Sequence, residues 1–164
     1  MSLLDESSKE YLAYVIADFL RKKLLNEKKK FSFETVFSHS SKLDIMKEAM
    51  EAGYKVYLYF VSTESPKINV FRVQARKKQG GHNVPSAKIR SRYKRSMDLM
   101  FNASLNADQS YFFDNSTTGE NPKVIAQVKK DELMQDVEIY IERPYWFIKY
   151  FSIKQFEYYS RLDG

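Results

Sequence analysis

Four arginines around a glycine-broken turn are the residues best equipped for chemistry in this sequence. They fall in three consecutive pieces: Arg72-Val-x-x-Arg76, Gly80-Gly81-His82-x-Val84-Pro85, and Ile89-Arg90-x-Arg92-Tyr93. Arg72 and Arg76 are four residues apart, so on a helix they share a face. Guanidinium groups stay charged and bind in a bidentate manner, which suits them to phosphoryl oxygens. Between two helices the glycine pair offers a hinge by which such a flap could close over a nucleotide. The same residues also fit a plain basic hairpin in which His82 caps a helix, the role favoured for it over proton transfer. Arg76 is the first choice among the arginines, while Arg72 also fits a structural helix position.

Two further groups have chemical potential. In Phe31-Ser-Phe-Glu34-Thr35-Val-Phe-Ser38-His39, a carboxylate at the carboxyl end of a parallel strand would face the ligand crevice of an α/β sheet. Glu34 could accept hydrogen bonds from a substrate hydroxyl or order a magnesium-bound water, and Thr35 and Ser38 could bind phosphate or other polar groups. An ion pair of Glu34 with a lysine such as Lys42 explains it equally well. In Phe113-Asp114-Asn115-Ser116, the three polar residues would form a loop beside a nucleotide base, or simply a turn, for which they are ordinary formers.

Several chemistries are excluded. No Gly-x-x-x-x-Gly-Lys-Ser/Thr or Gly-x-Gly-x-x-Gly occurs among the 5 glycines. His39 and His82 are the 2 histidines and make no zinc motif, so no metal ligand is assigned. Nothing local suggests a serine triad. With 0 cysteines there is no disulfide, thiolate site or cysteine nucleophile, which fits a reducing cytoplasm.

The elements that must position these residues follow from hydrophobic periodicity. Ser8 to Asn26 reads as an amphipathic helix, with Tyr11, Leu12, Val15, Ile16, Phe19 and Leu20 at helical spacing and Ser7 or Ser8 as its cap. Phe31 to Phe37 alternates like a buried strand. Lys42 to Ala52 is a helix stopped by Gly53, and Lys55 to Ser62 is an apolar run suited to a strand covered on both faces. Ser65-Pro66 opens a helix broken at Gly80-Gly81, and Pro85-Ser86 starts another to about Phe101. Ser110 to Asp114 is a short aromatic strand, Asn115 to Pro122 a polar loop, and Val124 to Val128 and Val137 to Ile141 are later strands. Arg143 to Phe156 is aromatic, and Pro144 fits only the first turn of a helix there. Strand, helix, glycine stop and strand make the α/β signature, and the strands near 31–37, 55–62 and 110–114 are predicted parallel in one sheet.

At 164 residues the chain suggests one domain, with a core supported by its 43% hydrophobic residues. Its net charge of +6 arises in one block: residues 65–97 contain ten basic residues and no acidic ones, leaving 17 basic and 21 acidic residues elsewhere. Such a block concentrates polyphosphate or nucleic acid, or is a solvated face. No apolar run reaches the length of a membrane span, so no membrane partner is expected.

Taken in order, these pieces resemble the zeta-toxin-like family of P-loop kinases. The resemblance runs from about Leu20 to Val128. It rests on Phe31-Ser-Phe-Glu34-Thr35, Ala52-Gly53-Tyr54 before Val56 to Val61, Arg72-Val73 with Arg76, Gly80-Gly81-His82 with Val84-Pro85, Arg92-Tyr93, and Asp114-Asn115-Ser116. It implies an α/β fold with a three-layer, P-loop-kinase-like parallel sheet and helices on its faces. It also implies ATP and Mg2+ as cofactors and γ-phosphoryl transfer to a small molecule, which in the toxin members is a UDP-activated amino sugar of cell-wall synthesis. Arg76 and one of Arg90 or Arg92 would clamp the transferring phosphate, Glu34 and Thr35 would sit in the substrate crevice, and Arg72, Asp114, Asn115 and Ser116 would lie on the cofactor side.

The family's phosphate loop and the aspartate after it precede the matching stretch and are absent from this sequence. The first, phosphate-loop strand is therefore expected to be missing, with residues 1–142 forming a partial kinase-like domain and 143–164 an aromatic extension packed on it. Such a chain is either a piece of a longer kinase or a degenerate relative, and alone it should have negligible kinase activity. The expected partners are a nucleotide and a phosphorylatable small molecule in the cytoplasm, with an antitoxin protein left open. A non-catalytic nucleotide- or phosphate-binding module is the alternative, and nonspecific nucleic-acid binding is a weaker third.

Overall fold

The computed structural model describes residues 5–81, 83–131 and 135–162. Two compact units divide at Thr35/Val36. The first is built on α1 (Glu6–Asn26), whose N-terminus is capped by Asp5 rather than by a serine: the Ser8 amide donates to the Asp5 carboxylate at 2.7 Å. The chain leaves the helix through Lys28 in the left-handed region, at φ 53°. The Arg21 guanidinium lies 5.1 Å from the centre of the Phe33 ring, which stacks on Phe31.

The predicted strand at Phe31–Phe37 does not form. The segment is irregular throughout, with Phe33 and Val36 exposed. Alternating aromatic and β-branched residues favour a strand only where a neighbouring edge supplies hydrogen bonds and a surface to pack on, and this segment pairs with no strand among the described residues.

The second unit begins with α2 (Ser41–Glu51), which stops at the predicted Gly53. Then come β1 (Tyr57–Ser62), α3 (Pro66–Lys78), α4 (Ser86–Leu105) and β2 (Gln109–Asp114). β1 and β2 are parallel, with Phe60 opposite Phe112 and Ser62 opposite Asp114, and the two helices form the crossover between them. β3 (Lys123–Lys130) and β4 (Gln135–Ile139) follow, each antiparallel to its predecessor. The sheet order is β1-β2-β3-β4.

This mixed sheet corrects the expectation of a three-layer, all-parallel P-loop-kinase-like sheet. One parallel pair is present and the remaining pairs are antiparallel. The reason lies in the connections: parallel strands need a crossover of a dozen or more residues. The α3–α4 segment supplies one, while the loop between β2 and β3 is short enough only for a return.

One face of the sheet builds the core. Phe60, Phe112 and Val128 point into it and meet Met97 and Met100 of α4. The chain then closes the core with α5 (Tyr145–Phe147), a π-helical turn (Ile148–Ser152) and α6 (Ile153–Ser160). Phe147 and Phe151 stack at 4.8 Å, and both reach Phe112. The opposite face carries Tyr57, Tyr59 and Val61, all more than half exposed, with Tyr59 stacked on Tyr111 at 5.1 Å. β1 is an edge strand of the described sheet.

Candidate functional site

The carboxyl ends of β1 and β2 lie side by side because the strands are parallel and in register, and this is where an α/β sheet offers its ligand crevice. Hydrogen bonds knit the two ends together. The Asn115 amide donates to the Ser62 carbonyl at 2.7 Å, and the Glu64 amide donates to the Ser116 hydroxyl at 2.7 Å. That hydroxyl in turn donates to the Asp114 carboxylate at 2.7 Å, which also receives the Ser116 amide. The Trp146 indole donates to Asp114 at 3.0 Å, so the C-terminal helical segment is pinned to the same point. Asp114 and Ser116, placed by sequence on the cofactor side, thus spend their hydrogen bonds on each other and on the fold.

The helical hairpin above this end is rooted by two side chains. Tyr93 of α4 donates to the Thr63 carbonyl at 2.8 Å. Burial pushes the Tyr93 hydroxyl up to about 12, and the nearby Glu64 and Asp114 carboxylates add to the shift. Arg72 of α3 donates to the Thr117 carbonyl at 3.2 Å, reaching the loop after β2. It is half-buried and acts as a tether, the structural alternative that its sequence position left open.

Arg76, Arg90 and Arg92 are different. Arg76 and Arg90 are exposed and Arg92 is half-buried. None of the ten cations of the acid-free block forms a salt bridge among the described residues; the ion pairs there involve Arg21, Lys22, Lys23 and Lys123. The first turn of α4 has no side-chain cap and no acidic residue, so its amides add partial positive charge near Arg90.

The turn between the helices is a Schellman cap. The Gly80 amide donates to the Lys77 carbonyl at 3.1 Å and the Gly81 amide to the Arg76 carbonyl at 2.9 Å. Gly80 has φ +89°, and a Cβ on Gly81 would lie 3.0 Å from the Arg76 carbonyl oxygen. Both glycines, expected to form a hinge, are thus used to fold the chain back tightly over Arg76. The expected role of His82 lies outside the described residues.

The remaining predicted positions separate. Ser38 meets α4, its carbonyl accepting from the Arg95 guanidinium at 3.0 Å. Glu34 and Thr35 lie in the first unit, exposed on irregular backbone rather than at a strand end. The carboxylate that does stand at the end of a parallel strand is Glu64, which the sequence reading passed over. Burial, and secondly Asp114, pushes its carboxyl above the usual range. The signal was present: Ser62-Thr63-Glu64-Ser65 ends an apolar strand just as Glu34 was expected to do.

The described residues fit an anion better than a complete ATP–Mg2+ site. They contain no cluster of three or more His, Asp or Glu side chains placed to hold a metal. The positive-φ glycines Gly53, Gly80 and Gly119 are separate turns and form no phosphate cradle. No helix among the described residues is long and apolar enough to cross a membrane.

No protein-family profile matches the chain, and no solved structure matches it. A Haemophilus influenzae protein, itself described only as uncharacterized, is 35% identical over 63 residues, which is 38% of this chain. The match spans 45% of that relative, so this chain is similar to less than half of its length.

Proposed function

We propose that this chain supplies the arginine-bearing part of an ATP-dependent small-molecule phosphotransferase of the zeta-toxin-like kind, and has no turnover of its own. The observation that carries this reading is the set of unpaired guanidinium groups Arg76, Arg90 and Arg92 on a hairpin rooted at the carboxyl ends of β1 and β2. Charge on a transferring phosphoryl group spreads over several oxygens, and one planar guanidinium covers only one edge. Tyr93 and Arg72 hold the helices that carry these arginines. The reading puts the chain in the cytoplasm with a nucleotide and a phosphorylatable small molecule, and leaves an antitoxin-like partner open.

Calorimetric titration of the purified chain with inorganic triphosphate and with ATP tests the anion site. Binding should weaken at least ~10-fold in Arg76→Ala/Arg92→Ala, since each lost charge-assisted pair is worth more than a neutral one. A Lys47→Ala/Lys129→Ala control removes the same charge outside the block and should change binding little. Equal weakening by both pairs would reduce the block to a solvated charged face. A γ-phosphoryl transfer assay on the chain alone should stay at background, because no residues cradle the β- and γ-phosphates.

A second reading, a non-catalytic phosphate-binding module, draws on the absence of a phosphate-loop motif from all 164 residues. The two readings separate when a polypeptide bearing a phosphate loop is added: turnover appears under the first and not under the second.

A further inference from the structure

The first unit holds a surface that the anion site does not use. Along α1, Tyr11, Val15 and Phe19 form one row at four-residue spacing, and Leu12, Ile16 and Leu20 form the next. These six side chains are 41–70% exposed, whereas Leu25 further along the helix is 7% exposed. Bare apolar stripes of this size on a folded helix mark interaction surfaces.

The charge on the helix says what covers the stripe. Residues 5–18 contain four acidic residues and one basic, and residues 19–30 contain six basic and one acidic. Asp18 is already paired within the helix, with Lys22 at 3.2 Å and Arg21 at 3.6 Å, whereas Lys23 holds a looser pair to Glu27 at 3.8 Å; the Lys22 and Lys23 side chains remain more than half exposed. A helix with an acidic first half and a basic second half is complementary to itself when reversed, and self-repelling when parallel.

We propose that α1 docks on α1 of a second copy of this chain, antiparallel, about a two-fold axis beside Val15 and Ile16. Tyr11 then lies opposite Leu20 and Leu12 opposite Phe19, while the end of each helix that carries Asp5 lies beside the stretch of the other that carries Lys23. The interface is isologous, as in most homodimers. Six large side chains covering ~100 Å² each give about 1,200 Å² over both copies, above the ~1,000 Å² that a specific interface needs.

The test uses the full chain. Sedimentation across a hundredfold concentration range should show a monomer–dimer equilibrium. Val15→Glu/Phe19→Glu should weaken it ~100-fold or more, since it buries charges in the seam. Lys23→Glu, one turn from Asp5 of the other copy in this register, leaves the stripe intact and should weaken it ~10-fold, with the wild-type dimer loosening as salt rises. Because the chain has 0 cysteines, introduced ones report orientation. Copies carrying Tyr11→Cys mixed with copies carrying Leu20→Cys should oxidise to the mixed disulfide. A chain that stays monomeric, or disulfides joining like positions only, would overturn the proposal. So would a dimer that survives Val15→Glu/Phe19→Glu with its helical circular dichroism intact. If that variant loses helix, the lysine reversal and the disulfide pattern decide.

Discussion

The carboxyl ends of β1 and β2 and the arginine hairpin above them are neighbours built to opposite rules. At the strand ends most polar groups are partnered within the protein: Glu64 N–H with Ser116, Ser116 with Asp114, Asp114 with Trp146, Thr63 O with Tyr93. On the hairpin, Arg76, Arg90 and Arg92 have no acidic partner among the described residues, although the backbone beneath Arg76 is fixed by its glycine cap. Polar groups that satisfy one another hold a shape, whereas cations left unsatisfied on a fixed frame are available to a ligand. Under the proposed function, the first region serves stability and the second recognition.

Substitutions can break or sharpen this contrast. The largest effect is expected for Asp114→Ala, which leaves the indole N–H of Trp146 without its acceptor on a residue only 1% exposed. Urea denaturation should show a loss of about 2–3 kcal/mol. A loss below ~0.5 kcal/mol would mean that the strand ends do not depend on this network.

Tyr93→Phe comes next, at about 1 kcal/mol for one hydrogen bond. It also has a pH signature. The folded-state pKa of Tyr93, about 12, lies above its ordinary 10.0, so its stabilising contribution is complete below pH 10 and is lost as pH rises toward 12. The gap between wild type and Tyr93→Phe should therefore narrow across that window, and a constant gap would refute the role given to the hydroxyl.

The smallest effect is expected on the hairpin. Arg76→Ala, Arg90→Ala and Arg92→Ala should each shift the denaturation midpoint by less than ~0.5 kcal/mol equivalent. A larger loss from any one would place that arginine with the structural group, beside Arg72.

The helices and strands were legible where local signals decide. Apolar periodicity located α1, the apolar run Val56–Val61 located β1, and Ser65-Pro66 and Gly80-Gly81 bounded α3, because caps and glycines act within one turn. The sheet's direction was less legible because strand composition does not encode it. Connection length carried the information: the polar loop after Asp114 is too short for a crossover. Phe31–Phe37 misled because alternation records a preference for a pleated surface without showing that such a surface exists. At the site, the arginines were found because charge is readable residue by residue. The network through Asp114, Trp146 and Tyr93 joins residues far apart in sequence, and no local pattern announces it.

The free edge of β1 has a consequence for how the protein ages. Its residues, Tyr-Leu-Tyr-Phe-Val-Ser, include no lysine, proline or inward charge to blunt the edge, and no bulge interrupts its pairing with β2. Short uncharged segments rich in aromatic and β-branched residues are those that stack into cross-β fibrils. In a concentrated preparation, or on a ribosome still synthesising the chain, this strand is the natural seed for aggregation. The lysines and arginines crowded into residues 65–97 follow that strand directly in the chain, and like charge next to such a segment opposes the close approach of neighbouring copies.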